Sequence, residues 1–132
     1  MKRGIISLLL LLCLLLTLGC SKKGGNNDLL FEGRVSGVEV SSMPHGYEYS
    51  FEGEKAERVA DYIRSLTLKT EFDENPDVFT GMTWVVELSY EDGKTVTVYM
   101  FGNMFIRRAD GEWLKMDYDE AEQFSSLLER LK

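Results

Sequence analysis

Thiol and imidazole chemistry have almost nothing to work with in this chain. It holds two cysteines and one histidine among 132 residues. Cys13 lies inside an apolar run and Cys20 just past its end, so the remainder of the chain has no thiol for a disulfide, a nucleophile or a metal. A nucleophile–base pair built on imidazole would have to use His45, which stands beside Pro44 in a stretch that reads as a turn, where polar residues are expected without catalytic cause. Ser41 and Ser42 are near it in sequence, an unspecific proximity. Basic excess is absent as well: 22 acidic side chains face 15 basic ones, a formal charge of −7. Such a surface is repelled by nucleic acid, so no nucleic-acid partner is expected. Glycine-rich phosphate loops and Cys/His metal spacings are missing, so the sequence names no catalytic residue, no metal ligand and no cofactor. No apolar run is long enough to span a bilayer: Ile5 to Leu18 makes a helix of about 21 Å against a hydrocarbon core of about 30 Å.

What is present begins at that run. Lys2 and Arg3 precede it and small and polar residues follow, the layout of a secretory signal over residues 1–19. The stretch Thr17-Leu18-Gly19-Cys20 resembles the lipobox of bacterial lipoproteins. The resemblance implies that Cys20 carries a diacylglyceryl group and becomes the first residue of the mature chain. One acyl chain binds a membrane marginally and two hold stably, each contributing about 0.8 kcal/mol per buried methylene. The expected partner of Cys20 is therefore a membrane, and the expected location is the extracytoplasmic side of the cell membrane, anchored by lipid. Removing residues 1–19 leaves 13 basic groups against 22 acidic ones, a formal charge of −9. With Cys20 opening it, the segment to Asp28, CSKKGGNND, has the composition of a flexible tether.

Residues 29–132 are long enough for one α+β domain with one core. Ala56, Val59, Ala60, Ile63 and Leu66 form one apolar stripe, and Ala121, Phe124, Leu127, Leu128 and Leu131 another, so two amphipathic helices are expected. Asp117 and Glu120 have the spacing of a capping box. Arg34–Ser42 and Tyr47–Glu52 read as strands around a turn at residues 43–46.

Between the helices, residues 82–116 alternate with period two and hold two Asp-Gly turns. A three-residue loop Glu91-Asp92-Gly93, with Gly93 left-handed, places Leu88 opposite Val96, Val86 opposite Val98 and Trp84 opposite Met100, with every aliphatic on one side. The same logic at Ala109-Asp110-Gly111 pairs Ile106 with Leu114 and Arg108 with Glu112. The expected fold is a two-layer α+β arrangement: an antiparallel sheet of about five to six strands with both helices on one face.

That register leaves Val85, Tyr99, Phe101, Phe105 and Trp113 on the outward face, with Arg107 opposite Trp113 as a cation–π pair. Tyr99, Phe101, Phe105, Arg107 and Trp113 form a candidate binding face for an envelope protein or an extended ligand. Two other readings of the face are ordinary cross-strand pairing and a cover formed by residues 29–31. The connection Leu68–Thr80 is long enough for an edge strand or a functional loop. Its Asp73–Asp77 portion opens like a calcium loop, but Val78 stands where glycine is needed and Trp84 where a bidentate acid is needed.

Along its whole length the chain is loosely similar to the short uncharacterised lipoproteins of Gram-positive bacteria: lipidation signal, polar spacer, one α+β domain ending in an amphipathic helix. The similarity implies location and no activity. The expected function is a non-enzymatic binding or interaction module, with a small envelope hydrolase working through carboxylates, or a structural accessory of an envelope complex, as alternatives.

Overall fold

β-Branched and aromatic residues at alternate positions build the sheet, and its strands are long where that alternation is unbroken. A computed structural model describes residues 28–132; Cys20 and the signal segment lie outside them. In chain order the elements are β1 (Val35–Met43), β2 (Glu48–Glu52), α1 (Gly53–Ser65), β3 (Leu68–Lys69), a single helical turn (Pro76–Val78), β4 (Thr83–Tyr90), β5 (Thr95–Phe101), β6 (Phe105–Arg108), β7 (Leu114–Met116), α2 (Tyr118–Ala121) and α3 (Gln123–Leu131). The strands form one sheet in the order β2-β1-β4-β5-β6-β7-β3, antiparallel throughout. The fold is therefore α+β on an antiparallel sheet. Among the described residues it has seven strands where five to six are expected, because Leu68–Lys69 closes the far edge against β7.

The central register is the expected one. Trp84 faces Met100, Val86 faces Val98 and Leu88 faces Val96. The turn between β4 and β5 works as the sequence requires: Tyr90 N–H donates to the Lys94 carbonyl at 2.8 Å, and Gly93 takes φ 88°, a region L-residues enter at a cost. The second Asp-Gly turn differs. Ile106 does face Leu114, but Gly111 has no positive φ, and Arg108 turns to Asp110 at 3.1 Å instead of to Glu112. An identical dipeptide thus serves two turn geometries, since the bidentate Arg108–Asp110 contact holds the second one locally.

Apolar side chains from one side of β1, β4 and β5 meet the stripe of α1 in the core: Val38, Val40, Val86, Leu88 and Val98 pack with Val59, Ala60 and Ile63. Both helices are expected on one face of the sheet, and the helix arrangement departs from that. α1 lies along β1 and β2, whereas α3 packs against α1 and reaches the strands at Trp84 and Tyr49. Its Phe124 stacks on Tyr62 at 5.4 Å and meets the edge of Trp84 at 5.8 Å. The C-terminal stripe is a four-residue piece and a nine-residue piece meeting at Glu122. Half of the capping box forms: the Asp117 carboxylate accepts the Glu120 N–H at 3.1 Å. The Glu120 carboxylate does not return the bond. It accepts the Thr67 N–H at 2.6 Å and the Thr67 hydroxyl at 2.9 Å, tying the last helices to the end of α1.

Leu29 to Phe31 do not cover the outward face. The Phe31 N–H donates to the Tyr90 hydroxyl at 3.0 Å and its ring lies 5.9 Å from that of Tyr90, which belongs to the core side of β4. The outward face receives another cover, described next.

Candidate partner-binding face

Pairing across the sheet sorts the outward residues into rows. One row runs Ser41, Val85, Tyr99, Arg107; the next runs Thr83, Phe101, Phe105, Lys115, Lys69. A third places Glu39 opposite Glu87 and Glu87 opposite Thr97. The face is therefore polarised, acidic toward β1 and β2, aromatic and cationic toward β6 and β7. Like charges set directly opposite are destabilising in a sheet, so the Glu39–Glu87 pairing is not a device of stability.

At the aromatic end the Arg107 guanidinium lies 4.6 Å from the Trp113 ring and 5.6 Å from the Tyr99 ring. The expected Arg107–Trp113 pair forms, and Tyr99 makes it a sandwich. The buried Arg107 Nε has no hydrogen-bond partner among the described residues. Such an orphan donor is uncommon in native structures. Phe101 stands 6.2 Å from Trp113. Tyr99, Phe101, Arg107 and Trp113 are all half-buried.

Phe105 departs from the expected platform, being 0% exposed. Phe72 and Phe79 cover it, with ring centroids at 5.4 and 5.5 Å, and Trp113 flanks it at 6.4 Å. The cover is the connection after β3, and its anchor points are visible. The Glu74 carboxylate pairs with Lys115, which draws its proton affinity below the ordinary carboxylate range. Asn75 accepts the Asp77 N–H at 3.0 Å and caps the turn at Pro76. The acidic stretch thus spends Glu74 and Asn75 on holding a loop. Its ends stay open: Val78 is 71% exposed and Phe79 38%. Composition hid this cover, because two phenylalanines in an acidic loop look like isolated residues; their seven-residue separation around a proline turn is the only sequence signal.

The other candidates resolve into structural roles. His45 is exposed, beyond a cis Met43–Pro44 bond. The Ser42 hydroxyl donates to the Pro44 carbonyl and accepts from the Tyr47 N–H, both at 3.1 Å, so it pins the turn. The proton affinities of Glu74 and Asp92 are drawn downward, Glu74 by Lys115 and Asp92 by the Lys94 N–H. A hollow of about 490 Å3 beside Leu29, Leu66, Leu68 and Leu114 carries Arg108 at its rim, already held by Asp110 and stacked 4.8 Å from Phe31. Among the described residues no cluster of His, Cys, Asp and Glu is arranged to hold a metal, and no helix is long and apolar enough to cross a membrane.

No protein-family model, no curated protein sequence and no solved structure matches this chain.

Proposed function

We propose that this chain is a lipid-anchored extracytoplasmic protein, held at the cell membrane through Cys20, which acts as a non-enzymatic binding module for an envelope protein or an extended ligand. The binding face is Tyr99, Phe101, Arg107 and Trp113, with Phe105 beneath them as a fixed support and Phe79 at its margin. One observation supports the reading: a guanidinium held between two aromatic rings on a half-exposed sheet face, with a buried Nε that meets no acceptor among the described residues. Arginine and aromatic side chains together are the residues that dominate binding energy at protein interfaces. The chain is strongly acidic, so the cation at this spot is a local exception.

Two measurements test the reading. Metabolic labelling with a fatty acid should mark the wild-type chain and leave Cys20→Ser unlabelled and released from the membrane; unlabelled wild type removes the anchor. A photocrosslinking residue at Tyr99 should capture one discrete partner in intact cells, and Arg107→Glu should abolish the capture. Capture unchanged by Arg107→Glu, or no adduct above that from a control site at Glu54, refutes the binding face.

A further inference from the structure

The opposite edge of the sheet carries a second, independent feature. Among the described residues β2 is a terminal strand, bonded to β1 alone. The Ser42 N–H donates to the Tyr47 carbonyl at 3.1 Å. Antiparallel pairs alternate between bonded and non-bonded types, so this bond sets the phase: Val40–Tyr49 and Val38–Phe51 are the bonded pairs. Glu48, Ser50 and Glu52 then point their backbone groups away from β1, toward the open edge. Their side chains share the outward face, while Tyr49 and Phe51 share the core side, as period two demands.

Hollows flank this edge on both faces. On the outward side Glu39, Ser41, Glu48 and Glu87 border a hollow of about 380 Å3. On the other side Phe51, Lys55, Leu131 and Lys132 border one of about 510 Å3. Strand addition to a sheet edge uses this arrangement, main-chain bonds for affinity and alternating pockets for specificity. The outward side of the edge is acidic, while Lys55 and Lys132 stand on the other side. Glu39, Glu48, Glu52 and Glu87 take part in no ion pair among the described residues. We infer that β2 accepts an extended segment of a partner protein as an added antiparallel strand, one carrying Lys or Arg opposite Glu48 and Glu52, four residues apart, with apolar residues opposite Tyr49 and Phe51.

A second copy of this chain fits worse. Antiparallel self-pairing centred on Ser50 sets Glu48 against Glu52 twice, and like charges directly opposite repel. Charges on an edge also guard it against indiscriminate pairing. An edge that serves only as a guard would bond no added strand, cationic or anionic, and that difference is measurable.

The probe is the peptide SKVTVKS, with SEVTVES as its charge-reversed control, titrated into the isotope-labelled full chain. SKVTVKS should shift the amide signals of Glu48, Ser50 and Glu52, slow their hydrogen exchange, and bind at least about tenfold more tightly than SEVTVES, the sum of two cross-strand charge pairs. The double variant Glu48→Lys, Glu52→Lys should reverse the preference. Ser50→Pro removes one edge N–H that the fold does not use, a substitution edge strands tolerate, and should abolish slowed exchange while leaving the unfolding midpoint near wild type. Equal binding of the two peptides, no binding by either, shifts at Glu39 and Glu87 without slowed exchange at the edge, or self-association abolished by Ser50→Pro would each overturn the inference.

Discussion

Replacing Arg107 with methionine separates a guanidinium kept for binding from one kept for stability. Methionine preserves the length of an unbranched stem that packs between Tyr99 and Trp113 and removes only the charged head. Two cation–π contacts are lost, at 4.6 and 5.6 Å, each worth about 0.5–1 kcal/mol where partly exposed. Against this, the substitution deletes the buried Nε that has no acceptor among the described residues, and an unmet buried donor costs about 1–3 kcal/mol. The terms nearly cancel, so the unfolding free energy should change by less than about 1 kcal/mol. At an m-value of about 1.5 kcal/mol/M that moves the urea midpoint by under about 0.7 M. Urea unfolding followed by the fluorescence of buried Trp84 reads it directly, with Phe105→Ala as the contrasting case. Phe105 is 0% exposed under Phe72 and Phe79, so its truncation should cost about 3–5 kcal/mol. A loss of 2 kcal/mol or more in Arg107→Met would mean that the chain itself consumes the guanidinium, and the binding reading of this face would go with it.

The two Asp-Gly turns should respond differently to the same substitution. Gly93 holds φ 88° with no atom within 4 Å of an added Cβ, so Gly93→Ala should cost about 1–2 kcal/mol through the backbone alone; Gly111→Ala, at ordinary φ and with its nearest contact at 3.6 Å, should stay within about 0.5 kcal/mol, and equal effects would refute the difference in turn geometry. Stability should also fall in acid. Glu74, held by Lys115, and Asp92, held by the Lys94 N–H, have folded-state proton affinities below their ordinary values of 4.5 and 3.8. Their contribution is therefore present above those values and lost as pH falls through the folded ones. The urea midpoint should be level from neutral pH to about pH 5 and decline below it, less steeply in Glu74→Gln; an unchanged decline in that variant would remove Glu74 from the account.

Much of the sheet was legible because its physics is local. A one-residue slip turns every side chain of a strand to the wrong face, so the alternation through Trp84, Val86 and Leu88, with a three-residue loop at Gly93, admits one register. The stripe from Ala56 to Ile63 specified α1 for the same reason at period 3.6. The capping box was half legible: Asp117 caps a neighbour three residues on, but Glu120 finds Thr67, 53 positions away. Likewise the second Asp-Gly turn differs from the first through an arginine one strand end away, which no dipeptide signature contains.

By itself the sequence determined the class of fold, the central register, the outward placement of Tyr99, Arg107 and Trp113, and the resemblance at Cys20 on which the anchoring proposal rests. Those follow from spacings within a few residues. Only the tertiary structure decided that Phe105 is covered, that α3 rests on α1, and that β2 is left as an open edge between two hollows. Each depends on segments distant in the chain meeting in space, and chain connectivity carries no record of which distant segment will arrive.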